Sequence, residues 1–161
     1  MKPGIKSLAT NMSSSVAPEY VLLTLGRTRL LFPRSELLAL EETPETGPAG
    51  DDSRIGMVER NGAILPVYNF DEHLQLLGEM QDTRRTCAFL GDGNAAIGIL
   101  CDKAEIVDGA EMQINALPVC MRSTNTPVQA LAMQGTRILC ISNMERMAGL
   151  IKNSPAAGII P

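Results

Sequence analysis

The most informative part of the chain is residues 56–68, which read Gly56-Met57-Val58-Glu59-Arg60-Asn61-Gly62-Ala63-Ile64-Leu65-Pro66-Val67-Tyr68. An Asn-Gly pair between two apolar segments is the strongest short-range signal for a β-hairpin, because both residues readily adopt positive φ. The sequence therefore predicts strands at 56–60 and 63–68 joined by a tight turn. Because Pro66 lacks a backbone N–H, we expect the second strand to lie at a sheet edge or to carry a bulge.

Further hairpins are predicted on both sides of this stretch. Each consists of two apolar segments joined by a turn that contains glycine: 20–25 with 28–32, 86–90 with 95–101, and 128–133 with 137–141. Short strands at regular spacing, separated by such turns, are typical of all-β proteins. The sequence therefore predicts an all-β fold.

Two short helices are predicted, each after an asparagine that can cap its first turn. They cover Phe70–Leu77, after Asn69, and Met144–Ile151, after Asn143. The remaining segments are less regular. Residues 35–40 fit either one helical turn or a strand, residues 41–52 are rich in Pro, Gly and acids and predict a solvated loop, and residues 79–85 predict a polar linker.

The two halves of the chain repeat one pattern. Residues 64–71 align with residues 138–145, since both are a strand that ends in Asn and is followed by an acid, and the hairpins at 20–32 and 86–100 also correspond. One such unit is too small to close a good core, so two packed five-stranded β-barrels are the expected architecture. We expect a flexible tail at residues 1–18, the folded domain at 19–152 and a second tail at 153–161.

Composition excludes several classes of function. The chain has 161 residues, a formal net charge of −4 and 3% aromatic residues, whereas nucleic-acid binding favours a basic surface and stacking rings. No apolar stretch approaches the roughly 18 residues of a membrane span, and residues 1–18 lack the apolar core of a secretory signal. We therefore expect a cytoplasmic protein that binds no nucleic acid and does not insert into a membrane.

Catalytic and metal-binding patterns are also missing from the sequence. The single histidine, His73, predicts a solvated position more strongly than a metal site, because no second ligand accompanies it. The four cysteines form no CxxC pair; Cys87, Cys101 and Cys140 lie in apolar segments and are predicted to be reduced core residues. We predict a protein that is not an enzyme and has no metal and no cofactor. An enzyme or small-ligand barrel remains an alternative, which would need a pocket with convergent polar groups.

Four segments in order resemble the CheW-like domain, the adaptor of bacterial chemosensory arrays. The resemblance extends from about Tyr20 to Ile151, and its most specific part is residues 56–70. The other three segments are Leu23-Thr24-Leu25-Gly26, Gly98-Ile99-Leu100-Cys101-Asp102 and Ile138-Leu139-Cys140-Ile141-Ser142-Asn143-Met144-Glu145. The resemblance implies two SH3-like five-stranded barrels without a catalytic site. It also implies an adaptor that couples a chemosensory histidine kinase, through that kinase's CheW-like regulatory domain, to the cytoplasmic tip of methyl-accepting receptors.

Three positions depart from the family pattern. The family's arginine before the turn glycine is Asn61 here, with Arg60 beside it; the family's aspartate at the strand end is Asn69; and Ala39 stands where an early acid is usual. In the family, this arginine and the valine that begins the early motif, which Leu37-Leu38-Ala39-Leu40 matches here, help to contact the receptor tip. The departures favour an alternative function, in which a divergent adaptor has lost receptor binding and serves a pilus-linked chemosensory system or a polar localisation scaffold.

The resemblance also identifies candidate partner-binding residues. Leu37 and Leu40 occupy the position of the family's apolar receptor-contact patch, with core packing as the alternative. Arg60 and Asn61 lie at the hairpin tip, where Asn61 is also explained by turn chemistry. Asp102 is the fifth candidate, and its alternative role is to satisfy turn amides.

Overall fold

A computed structural model of the protein describes residues 18–43, 55–79, 81–91, 95–122 and 126–152. Within these residues the chain forms two curled antiparallel sheets, each with one parallel pair of strands. The strands are β1 (Glu19–Leu25), β2 (Thr28–Pro33), β3 (Leu37–Glu42), β4 (Gly56–Arg60), β5 (Ala63–Phe70), β6 (Leu76–Leu77), β7 (Thr86–Gly91), β8 (Ala96–Cys101), β9 (Lys103–Asp108), β10 (Gln113–Ala116), β11 (Ala130–Gln134) and β12 (Arg137–Ile141). One α-helix follows, α1 (Met144–Lys152).

Sheet 1 has the strand order β9-β1-β2-β12-β11-β10, and sheet 2 has the order β3-β7-β8-β5-β4, with β6 paired to β5. Each sheet therefore holds a five-stranded unit and one additional short strand. The all-β prediction of two packed, SH3-like five-stranded barrels is confirmed.

The repeat predicted from the sequence is also confirmed. In sheet 2, β5 lies parallel to β8, which is the second strand of the β7–β8 hairpin. In sheet 1, β12 lies parallel to β2, which is the second strand of the β1–β2 hairpin. The strand after each central hairpin crosses to the other sheet, so that β3 pairs with β7 and β9 pairs with β1.

Three apolar clusters fill the fold. One lies inside sheet 1, one inside sheet 2, and the largest lies between the sheets, where α1 also packs. The central strands contribute to two clusters at once: in β1, Leu22 packs inside sheet 1, whereas Val21 and Leu23 pack between the sheets. Burial of both faces explains why these strands read as continuous apolar segments rather than as alternating ones.

The predicted helix at Phe70–Leu77 is wrong. Phe70 completes β5 and is fully buried, and the chain then turns and forms β6. The turn is made by Asp71, whose carboxylate accepts hydrogen bonds from the backbone N–H groups of His73 and Gln75 at 2.8 and 3.0 Å. An aspartate that bonds to the backbone two residues later competes with helix formation. The helix predicted at Met144–Ile151 is confirmed as α1.

Several smaller expectations are resolved as well. Both alternatives for residues 35–40 occur, as a 3-10 turn at Arg34–Glu36 followed by β3. The loop predicted at 41–52 begins later than expected, because β3 extends through Glu42, and residues 44–52 lie outside the described residues. Strand β5 is not an edge strand. It tolerates Pro66 because β5 pairs with β8 only at Val67 and Tyr68, so the missing N–H of Pro66 is not needed in that pairing. The predicted tails lie outside the described residues, except for Pro18.

Candidate partner-binding site

Arg60 joins the two margins of sheet 2. It is the last residue of β4, and its guanidinium forms an ion pair with the carboxylate of Glu41 in β3. Because β3 and β4 are the outer strands of this curled sheet, the ion pair links its two margins. The guanidinium also lies over the ring of Phe89, 5.0 Å from its centroid, where cation–π attraction operates. Arg60 therefore has its partners within the barrel.

Asn61 and Gly62 form the turn between β4 and β5. Their φ angles are +48° and +83°, as a type I′ turn requires at both central positions. Both residues are exposed at the tip of the hairpin. The hairpin prediction is confirmed, and the role of Asn61 in partner binding stays a prediction.

Leu37 and Leu40 lie in different surroundings. Strand β3 has a bulge between Leu37 and Ala39. Leu37 packs against the cluster between the sheets, whereas 38% of Leu40 is exposed and the neighbouring Leu38 is 52% exposed. Of the two predicted leucines, Leu40 is the one whose side chain is exposed, and its role in partner binding stays a prediction.

Asp102 lies where the chain passes from sheet 2 to sheet 1. Its carboxylate accepts a hydrogen bond from the N–H of Gly26 at 2.9 Å and forms an ion pair with Arg84. Its own N–H donates to the carbonyl of Thr24 at 2.8 Å. Asp102 therefore links the β1–β2 turn of one barrel to the β7–β8 hairpin of the other.

Arg84 is the main residue that the sequence analysis missed. It lies in the segment predicted to be a polar linker, yet only 4% of it is exposed. Besides its ion pair with Asp102, its Nε donates to Oδ1 of Asn69 at 3.1 Å and its Nη2 donates to the carbonyl of Phe70 at 2.9 Å. The sequence did contain a signal for this contact. In an antiparallel hairpin, the residues before the first strand lie beside those after the second, and Arg84 precedes β7 whereas Asp102 follows β8.

Asn69 belongs to the same network rather than to a helix cap. Its side chain is fully buried, and its Nδ2 donates to the carbonyl of Glu79 and to Oε1 of Gln81, each at 2.7 Å. With its Oδ1 accepting from Arg84, the amide uses both of its donors and its acceptor. Asn69 therefore completes the buried network, although it lacks the carboxylate of the aspartate that the family has at this position.

The pKa of Asp102 reflects this network. Partial burial favours the neutral acid and acts to raise the pKa of Asp102. The N–H of Gly26 and the Arg84 guanidinium oppose it, together with a hydrogen bond from Thr83, and bring the pKa below its ordinary value. The carboxylate is therefore charged at neutral pH and serves as a structural ion-pair partner.

Cysteine placement agrees with the sequence prediction for two of three residues. Cys87 and Cys101 are buried, and Cys140 is half-buried. Burial raises the pKa of Cys87 and of Cys101 to about 12, which keeps both thiols protonated and unreactive. In the described part of the chain, no group of three or more His, Cys, Asp and Glu side chains is arranged to hold a metal ion.

Exposed apolar side chains extend beyond the predicted candidates. The large ones are Leu38, Leu40, Ile64, Ile106, Ile114, Val119, Met121 and Ile138. Two of them, Ile64 and Ile138, occupy aligned positions in the two halves of the repeat and are 66% and 59% exposed. Both halves therefore present an isoleucine at the same place in the fold, which the sequence alignment of 64–71 with 138–145 makes visible.

Comparisons with known proteins address the fold. No protein-family model and no curated protein matches the chain in sequence. Among solved structures, the chain is similar to the scaffolding protein TtCheW from Thermoanaerobacter tengcongensis, with a TM-score of 0.59 and 14% sequence identity over 78% of this chain and 88% of that chain. None of the helices in the described ranges is long and apolar enough to cross a membrane. The comparison shows that the chain has the CheW-like fold of two β-barrels.

Proposed function

We propose that this protein is a non-catalytic adaptor in bacterial chemosensory signalling, which couples a histidine kinase to chemoreceptors. The observation that carries the proposal is the similarity of the fold to a CheW scaffold over most of both chains. Its partners are the CheW-like regulatory domain of the kinase and, at a separate surface, the receptor's cytoplasmic tip. It acts in the cytoplasm, recruited to membrane-attached or polar arrays.

The surface chemistry supports protein binding. Exposed apolar residues occur on both sheets, including Leu40 on sheet 2 and Ile138 on sheet 1. Exposed apolar side chains near strand margins favour contacts with strands or helices of other proteins. Two barrels with related surfaces give an adaptor two places to bind, and an array multiplies modest affinities by avidity.

A second candidate function is supported by Arg60. Its guanidinium is held by Glu41 and Phe89, and the turn residue beside it, Asn61, has no charge. The family's arginine contact to the receptor therefore has no evident replacement at this hairpin. On this reading, the protein binds a kinase but not a receptor, and serves a pilus-linked chemosensory system or a polar scaffold.

Calorimetric titration against the two partner classes tests both functions. The purified protein is titrated with the regulatory domain of each chemosensory kinase from the same genome, and with receptor-tip fragments. Binding to both classes is expected for the first function, and binding to a kinase alone identifies the second. A folded protein that binds neither class would contradict the proposal.

Leu40→Asp tests the predicted receptor contact. If Leu40 contacts the receptor, the charge introduced there lowers the affinity for the receptor tip by about tenfold or more. Ile106→Asp is the matched control, because Ile106 is 44% exposed, close to the 38% of Leu40, and lies in the other sheet. Equal losses in both variants would remove the assignment of Leu40.

A further inference from the structure

The two barrels differ at their margins. In sheet 2, the ion pair of Arg60 with Glu41 joins the two outer strands. In sheet 1, β10 is an outer strand that pairs with β11 on one side, and no described strand pairs with its other side. All four residues of β10 are exposed. A strand edge with free N–H and C=O groups is a template for pairing with another chain.

The residues of this edge lack the usual protection against pairing. Strand β10 reads Gln113-Ile114-Asn115-Ala116 and contains no charged residue and no proline, which are common means of blocking an edge. Ile114 pairs with Ala132 of the cluster inside sheet 1, yet 47% of Ile114 is exposed. The apolar interior of this barrel therefore continues to an open margin at Ile114.

Charged groups of opposite sign flank the edge. Glu111 precedes β10 and Arg122 follows it, and both are exposed. The Nε of Arg122 donates to the carbonyl of Leu117 at 2.9 Å, which holds the guanidinium beside the end of the strand. Among the ion pairs of the described residues, neither Glu111 nor Arg122 takes part.

We propose that β10 pairs with β10 of a second copy of this chain, antiparallel and around a two-fold axis at Ile114. A two-fold axis perpendicular to a sheet places a residue opposite itself, so Ile114 meets Ile114 of the second copy. In this register Gln113 lies opposite Asn115, and two amide side chains face each other. Glu111 then lies opposite Leu117 of the second copy. The carbonyl of that Leu117 accepts from Arg122 of its own chain, so Glu111 lies close to the second copy's Arg122.

This arrangement is self-complementary in charge and in polarity. The axis generates two Glu111–Arg122 ion pairs, one at each end of the paired strands, and it buries the two isoleucines against each other. The paired segment is short, so the dimer belongs to the weak, transient class of interfaces. Twelve strands would then form one continuous sheet across the two copies of sheet 1, each copy contributing six.

Sedimentation velocity over a range of protein concentrations measures the association. The full chain is expected to shift from monomer to dimer as its concentration rises. Ile114→Lys brings two ammonium groups together at the axis and is expected to leave only monomer. Ile106→Lys is the matched control, since Ile106 lies on β9, the opposite outer strand, and is 44% exposed against 47% for Ile114; its dimer is expected to persist.

A charge exchange tests the register. Glu111→Lys and Arg122→Glu, made singly, each replace two attractions by two repulsions and are expected to weaken the dimer about tenfold. The double variant restores opposite charges and is expected to recover at least part of the association. Unchanged melting temperatures ensure that each variant is folded.

Three results would overturn the proposal. One is a wild-type chain that stays monomeric at all concentrations. Another is a dimer that Ile114→Lys and Ile106→Lys affect equally. The third concerns crosslinking by a bis-maleimide of two variants, Ile114→Cys and Ile106→Cys, both made in a Cys120→Ser background. If Ile114→Cys does not crosslink more efficiently than Ile106→Cys, the proposal is wrong.

Discussion

At the scale of single residues, the junction of the two barrels depends on Arg84. This buried guanidinium contacts Asp102, Asn69 and the carbonyl of Phe70. A buried charge is tolerated when every neighbouring polar group is paired. Loss of the arginine would leave a carboxylate and an amide without their partner, so its effect should exceed that of an ordinary surface charge.

We expect Arg84→Ala to lower the free energy of unfolding by about 3 kcal/mol, because it breaks a buried ion pair and its hydrogen bonds. Urea-unfolding curves at neutral pH measure this change. Arg85→Ala is the control, since Arg85 is the next residue and is exposed; its effect should stay within about 0.5 kcal/mol. Similar losses in the two variants would contradict the role of Arg84.

Asp102 should make stability depend on pH. The pKa of Asp102 in the folded protein lies below its ordinary value, so its contribution is fully present above the ordinary pKa of about 4. It is lost as the pH falls through the folded pKa, because the unfolded chain then binds the extra proton more readily. The stability difference between wild type and Asp102→Asn should therefore be largest near neutral pH. Urea midpoints at successive pH values test this; a difference that stays constant down to about pH 3 would contradict it.

Residue-level prediction from the sequence succeeded where local chemistry decides. Asn61-Gly62 predicted its turn because positive φ is a local requirement. The partner of Arg60 could not be predicted, because Glu41 lies on the opposite margin of the sheet and only the curl of the barrel brings the two together. Arg84 was missed because its polar neighbours in the sequence are exposed while it alone is buried.

At the scale of elements, the closure of sheet 2 is testable through Arg60 and Glu41. A double-mutant cycle with Arg60→Met and Glu41→Gln keeps much of the side-chain volume and removes the charges. We expect a coupling energy of about 0.5–1 kcal/mol, since both side chains are partly exposed. Urea unfolding of the four proteins measures it. A coupling indistinguishable from zero would mean that the ion pair adds nothing to barrel closure.

Helix α1 is anchored by a remote side chain. The N–H of Met144 donates to Oε1 of Glu36 at 2.8 Å, so a residue near the start of sheet 2 caps α1. We expect Glu36→Ala to cost about 1 kcal/mol and to accelerate amide hydrogen exchange within α1. Glu42→Ala is the control, because Glu42 is exposed in the adjoining strand; faster exchange in α1 of this variant would argue against the cap.

Prediction of elements from the sequence failed mainly where a polar side chain bonds to a residue that is remote in the sequence. The pattern after Asn69 resembles a capped helix, and the one after Asn143 is a capped helix, in which Asn143 accepts from the N–H of Arg146 at 2.8 Å. The difference is that Asn69 is fully buried and bonded to Arg84. Such a distinction depends on tertiary structure, which the local pattern does not contain.

At the scale of the whole molecule, the two barrels are interleaved along the chain. The chain leaves sheet 1 after β2, builds sheet 2, and returns to sheet 1 at β9. The largest apolar cluster lies between the sheets and draws on both. Sheet 2 therefore has all of its strands within Leu37–Cys101, but its largest apolar contact surface is completed only by residues of sheet 1 and α1.

We expect unfolding to be a single cooperative transition. Differential scanning calorimetry should give equal calorimetric and van 't Hoff enthalpies, as two-state unfolding requires. A chain that ends after Cys101 retains all of sheet 2 but exposes the inter-barrel cluster, and it should aggregate or remain unfolded. Two resolved calorimetric transitions would show that the barrels fold independently.

The return of the chain to sheet 1 also determines the order in which the protein can form during synthesis. Sheet 2 is built from one continuous segment, Leu37–Cys101, whereas sheet 1 combines the first two strands with strands that begin at Lys103. Of the described strands, β1 and β2 leave the ribosome first, whereas β12, the parallel neighbour of β2, is translated last. At synthesis rates of about 5–20 residues per second, roughly five to twenty seconds separate them. During that interval the apolar faces of β1 and β2 lack their final neighbours, so these two strands are the part of the nascent chain most exposed to aggregation and to chaperones.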